Sequence, residues 1–166
     1  MSKGQAERLM GLCADLLATS GVTYRDLTAI GVGIGPGNFT GIRISVSAAR
    51  GLALGLGIPA IGVTAFDALR FGFHGPCACA VDARRSQVYF QTQANAQPTL
   101  EDAMALPAHD GPLLGASGLA PAHPAAIAIA YLAASRSGSP QPRPAPLYLR
   151  PADAAPARDA PPVMLS

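Results

Sequence analysis

The segment Gly35-Pro36-Gly37-Asn38-Phe39-Thr40-Gly41 constrains the fold of this chain more than any other. A short apolar run, Ala29 to Ile34, precedes it and reads as a buried strand. A helical stretch follows over Ile42 to Leu56, where Ile42, Val46, Ala49, Ala53 and Leu56 line one face. Gly57 and Pro59 stop that helix, and Ala60 to Val63 supplies a second strand. Thr64 and Asp67 cap a short helix that runs through Phe71. Strand, helix, strand, helix is the order of a parallel sheet with crossover helices, so the fold class is α/β.

Before the first strand, Gln5 to Thr19 places Leu9, Cys13, Leu16 and Leu17 at helical spacing, with Met10 and Leu12 widening the apolar arc. Gly21 ends that helix, and Thr23-Tyr24-Arg25-Asp26 reads as a capping box opening a short turn. Beyond Gly72 to Pro76 the pattern changes. Cys77 to Val81 and Gln87 to Gln93 read as a hairpin around the polar turn Asp82 to Ser86. Leu113 to Gly115 is a further strand and Pro124 to Ala134 an Ala-rich helix. Pro140, Pro142, Pro144 and Pro146 then predict an extended segment in which Leu147-Tyr148-Leu149 alone has something to bury. The organisation expected is an N-terminal α/β subdomain over 1–75, a C-terminal α/β subdomain over 76–150 and a Pro/Ala-rich tail over 151–166.

Glycines after a strand and before a helix suit an anion, because free N–H groups and the helix dipole favour negative charge there. Pro36 presets a turn, Gly37 can supply positive φ, Thr40 is placed to cap the helix, and Arg43 adds a fixed charge in its first turn. The spacing is not that of a Walker loop, and the acidic residue of a dinucleotide fingerprint has only Asp67 as a late candidate. A phosphate cradle and a tight turn packed on another surface both stay open.

Charged residues are 13% of the chain, about half the usual share, which favours an oligomer or a complex. The net charge of +2, the single lysine Lys3 and the lack of a basic block beyond Arg84-Arg85 argue against direct nucleic-acid binding. The catalytic inventory is thin. His74, His109 and His123 lie far apart without metal-binding spacing, and no serine sits in a G-x-S-x-G elbow. Cys77-x-Cys79 places two thiols on one strand face, best read with Cys13 as small buried hydrophobes rather than as zinc ligands. Asp82, Arg84 and Arg85 read as solvated turn charges in preference to an acid paired with bases beside a groove, and Tyr148 and Arg150 as packing and surface residues. No signal peptide or membrane-spanning run is present, which predicts a cytoplasmic protein.

The wording of the glycine segment, from Gly33 through Arg43 and on through Ala48-Ala49-Arg50-Gly51-Leu52-Ala53 to Gly57-Ile58-Pro59 and Val63, resembles the TsaB (YeaZ) family. Val81-Asp82-Ala83-Arg84-Arg85, Val88-Tyr89 and Pro146-Leu147-Tyr148-Leu149-Arg150-Pro151 match in the same order, so the resemblance runs from Ala6 to near Arg150. Asn38 and Ile42 replace the Ser and the Leu or Val more usual in the family. The resemblance implies an actin/Hsp70-like (ASKHA, RNase H-like) two-subdomain fold. Family members open with strands carrying an Asp-Thr-Ser segment, absent here, so the N-terminal sheet is expected to be incomplete, through a late start or a truncated product.

The resemblance further implies a non-catalytic subunit that pairs with TsaD, the transferase forming N6-threonylcarbamoyladenosine beside the tRNA anticodon, with the ATPase TsaE joining them. It implies no metal and no cofactor of the chain's own, ATP or ADP only at a shared interface, contact with tRNA only indirectly, and self-pairing as an alternative to TsaD. Pairing through the first two long helices would engage Leu9, Met10, Cys13, Leu16, Leu17, Val46 and Ala49. The rival readings are a stand-alone actin-like nucleotide-binding phosphotransfer enzyme and a non-functional truncated homologue.

Overall fold

A computed structural model describes residues 4–149. The expected tail over 151–166 and the matches at Arg150 and Pro151 lie outside the described residues. The chain opens with α1 (Gln5–Thr19), closed by Gly21 in a left-handed conformation, and a 3-10 turn over Tyr24–Asp26 whose capping box is formed. Strand β1 (Ile30–Gly35), helix α2 (Phe39–Leu56), strand β2 (Ala60–Thr64) and helix α3 (Ala65–Arg70) follow in the predicted order, with β1 and β2 parallel. Thr64 caps α3 by accepting from the Asp67 N–H at 3.0 Å, as its spacing predicts.

The register of this first sheet sets its packing. Gly31 lies opposite Ile61, Val32 opposite Gly62, and Gly33 opposite Val63, so each pair joins a glycine to a branched side chain. Strand alternation sends Ile30, Val32 and Ile34 toward α2, where Val32 packs with Val46 and Ala49. It sends Gly31 and Gly33 to the other face. There helix α4 (Ala125–Arg136) lies so close that a Cβ on Gly31 would fall 2.8 Å from the Ala133 Cβ. Val63 fills that face with Ala68 and Ala128. The α4 residue Arg136 also binds Asp67 of α3 at 3.0 Å. Residues from the far end of the described chain therefore cover the first sheet.

The second sheet has the order β5-β4-β3-β6, from β3 (Ala78–Arg84), β4 (Gln87–Gln91), β5 (Thr99–Asp102) and β6 (Leu113–Gly115). Strand β5, with Leu100 as its one large apolar residue, was not predicted; it earns its place by pairing with β4. The hairpin turn is tighter than the expected Asp82–Ser86. Strand β3 runs to Arg84 through a bulge, and Arg84, Arg85 and Ser86 turn the chain with φ of 63°, 53° and 58°. Both faces of this sheet are apolar. Cys77, Cys79, Ala83, Tyr89 and Leu114 pack with Phe66 of α3 on one side, and Ala78, Ala80, Val88 and Phe90 form the core of the other.

Candidate functional site

The glycine loop is covered at its start and open further on, with Gly35 and Pro36 buried and Gly37, Asn38 and Thr40 exposed. Gly35 is buried with φ of 94°, and a Cβ there would sit 2.7 Å from Ile42 Cδ1 and 3.5 Å from the Leu147 carbonyl oxygen. Pro36 is buried beside it, while Gly37 is exposed with φ of 154°. The helix cap is Asn38, whose Oδ1 accepts from the Gly41 N–H at 2.9 Å. Thr40, expected as the cap, is instead an exposed residue inside the first turn, because the helix starts at Phe39 rather than Ile42. Asn38 satisfies one of the amides that an anion would need.

Arg43 does not stand free as a loose positive charge. Its guanidinium lies 3.9 Å from the Phe39 ring centroid, and its Nε donates to the Tyr148 hydroxyl at 2.8 Å. The Phe39 and Tyr148 rings are 4.9 Å apart, and the neighbouring Leu147 N–H donates to the Ile34 carbonyl at 2.8 Å. Tyr148 therefore belongs to the loop, a role that reading along the sequence missed. Its partner lies 105 residues away, and the only signal for it was the isolated apolar cluster in a proline-rich stretch.

The residues expected at a docking face divide. Val46 and Ala49, which the resemblance placed at the pairing face, are 3% and 6% exposed and pack on Val32, so they are core residues of this chain. Leu9, Cys13 and Leu17 are half-buried, whereas Met10 and Leu16 are exposed. The outward face of α2 instead carries Ser47, Arg50, Gly51, Leu54 and Gly55, with Leu54 85% exposed. Between the helices runs a groove of about 550 Å³ lined by Met10, Tyr24, Ala48, Gly51, Leu52 and Gly55. The Tyr24 hydroxyl is buried there without a hydrogen-bond partner among the described residues. The signal that could have found this face is the pair Gly51 and Gly55 flanking Leu54, small residues one turn apart inside a helix.

The thiols sit in the core. Cys77, just before β3, and Cys79, on it, are buried in one cluster, and burial pushes the Cys79 thiol up to about 12 despite the nearby Arg70 charge, which favours the protonated thiol. The histidines stay apart: His109 lies near Phe90, His123 near Phe71, and His74 is exposed. Asp82 accepts from the Arg84 N–H, which serves the turn. Among the described residues no three His, Cys, Asp or Glu side chains converge on a common point. No helix there is long and apolar enough to cross a membrane.

Comparison with known proteins adds four findings. A family model described as TsaD, tRNA N6-adenosine threonylcarbamoyltransferase, matches residues 1–137. An uncharacterized protein of Mycobacterium tuberculosis is 36% identical over 93% of this chain and 79% of its own length. The tRNA threonylcarbamoyladenosine biosynthesis protein TsaB of Escherichia coli is 40% identical over 51% of this chain and 38% of its own length. Among solved structures, YeaZ from Pseudomonas aeruginosa superposes with a TM-score of 0.64 at 25% identity, covering 87% of this chain and 84% of that one.

Proposed function

The chain belongs to the TsaB (YeaZ) family, and from that premise we propose that it serves tRNA threonylcarbamoyladenosine biosynthesis as a docking subunit, without catalysing the transfer itself. Its partner in this reading is a TsaD-type transferase, with TsaE joining the pair in the cytoplasm and tRNA engaged only through the complex. The observation that carries the reading is the outward face of α1 and α2. Leu54 is 85% and Leu16 68% exposed, beside glycines that let another backbone approach. Such apolar surface is costly in water and gains most from a covering partner.

Any ATP or ADP of the assembly is assigned to the interface with the partner. The supporting observations are the start of the loop, where Ile42 and Leu147 crowd Gly35, and the Gly41 N–H, already taken by Asn38. A rival reading, that the chain is itself a transferase, draws on the name of the matching family model. The TsaB-named relatives at 36–40% identity weigh on the side of the subunit.

Co-expression with TsaD from the same organism tests the proposal. The chain should co-elute with TsaD in gel filtration, and Leu16→Glu and Leu54→Glu should each abolish co-elution while leaving thermal melting in place, since both side chains are exposed. Continued co-elution of both variants would sink the docking face. Sedimentation of the chain alone reads the competing homodimer. Micromolar ATP affinity with hydrolysis by the isolated chain, measured calorimetrically with Mg²⁺, would establish the stand-alone enzyme instead.

A further inference from the structure

A second concavity, of about 340 Å³, lies between the end of α3 and the turn that follows β4, lined by Arg70, Pro76, Cys77, Gln93, Ala94 and Asn95. Its size is at the small end of the range for sites that hold metabolites. Arg70 is the only charged residue of the lining and is half-buried. Its Nη1 donates to the Gln91 Oε1 and its Nη2 to the Gln91 carbonyl at 3.2 Å. Gln91, 8% exposed, is fixed in turn because its Nε2 donates to the carbonyls of Ala96 at 2.8 Å and Ala94 at 3.4 Å. The guanidinium is therefore held in one place by a buried amide that carries no charge.

Among the described residues this cation forms no ion pair. A guanidinium has five N–H groups, and only the bonds to Gln91 use any of Arg70's among the described residues. The carboxylate one turn earlier on α3, Asp67, is engaged by Arg136 at 3.0 Å. The nearby Cys79 thiol stays neutral, as burial dictates. A half-buried charge is costly without an anion, and a pre-positioned guanidinium offers the planar fork that carboxylates and phosphates accept. The side chains of Gln93 and Asn95, exposed on the rim, add amide donors.

We propose that the Arg70 pocket binds a small oxyanion, the carboxylate or phosphate group of a metabolite-sized ligand. This site is separate from the α1/α2 face and does not depend on the subunit reading. Arg70 grips the oxyanion, Gln93 and Asn95 orient it, and Gln91 positions Arg70.

The test uses the full chain, ¹⁵N-labelled, in Bis-Tris chloride at constant ionic strength. Sodium phosphate and sodium acetate are titrated separately, with sodium chloride as the control. Saturable shifts of the Arg70 Nε–H and the Gln93 and Asn95 side-chain amides are expected, with a Kd on the order of 1 mM. Saturation by phosphate alone identifies a phosphoryl ligand, by acetate alone a carboxylate ligand, and by both the shared oxyanion chemistry. Arg70→Lys keeps the charge but loses the fork, and should weaken binding about tenfold. The Gln93→Ala/Asn95→Ala double variant, altered only at exposed positions, should weaken it as well and carries the test if Arg70→Lys does not fold. Linear shifts equal to those with chloride, or affinity unchanged in the double variant, would overturn the proposal.

Discussion

Every second residue of β1 is glycine, whereas β3 and β4 carry no glycine at all. The first sheet of two strands has helices on both sides, and its buried residues, Val32, Val46, Ala49, Ile61, Val63, Ala68 and Ala128, include no aromatic side chain. The second sheet of four strands closes with larger side chains, Phe66, Tyr89, Phe90 and Leu114, from a continuous stretch between residues 66 and 114. The contrast separates two tasks. The second sheet concentrates bulky burial and should therefore anchor stability, while the first favours close approach and leaves Leu54 open on the outer side of α2 beside Ser47, Arg50, Gly51 and Gly55.

The largest effect that could break this contrast is Phe90→Ala. Phe90 is 1% exposed, so truncation should cost about 3–5 kcal/mol in urea denaturation. A loss below half of that would mean the second sheet is not the anchor. Gly31→Ala probes the close approach of α4, where the added methyl meets Ala133 at 2.8 Å and the Ile129 carbonyl at 3.0 Å. It should destabilise by about 1–3 kcal/mol, although only one carbon is added. Gly51→Ala should do the reverse, because nothing lies within 4 Å of its added Cβ. As a helix-interior change it should raise stability by about 0.5–1 kcal/mol, yet weaken co-elution with TsaD if that face docks. A gain in both would separate Gly51 from the interface.

The smallest effect concerns the turn leading into β1. The Thr23 hydroxyl, and then its N–H, bond to the Asp26 carboxylate at 2.6 and 2.8 Å and hold its pKa below the ordinary 3.8. A lowered folded value gives a stabilising contribution present above the unfolded pKa and lost as pH falls through the folded one. NMR titration should place the Asp26 midpoint below 3.8, and Thr23→Ala should move it back toward that value. An unchanged midpoint would show that the hydroxyl bond contributes nothing in solution.

Local chemistry made much of this legible in the sequence. The bounds of α1 follow from an apolar stripe closed by Gly21, and β1, β2 and the Thr64 cap follow from patterns only a few residues long. Misses arose where distance decides. Strand β5 has a single large apolar residue, and only pairing with β4 makes it a strand. The apolar stripe of α2 holds Val46 and Ala49, and a resemblance that names whole helices as the pairing elements does not say which stripe faces β1 and which a partner. The Arg43–Tyr148 contact spans 105 residues and the Arg70–Gln91 contact 21, so neither could be read from spacing. Asn38 displaced Thr40 as cap because either residue could start that helix, and the backbone chose the earlier one.

The return of α4 onto β1 also has a consequence for the order in which the chain can acquire structure during synthesis. Strands β1 and β2 leave the ribosome before α4 does, so the close packing of Ile129 and Ala133 on Gly31 and of Ile129 on Gly33 forms only once residues 125–136 have followed. The second sheet needs nothing beyond Gly115 to pair all four of its strands. The N-terminal half of this protein therefore waits, half-dressed, for a helix made more than ninety residues later, against the usual N-to-C progression of folding.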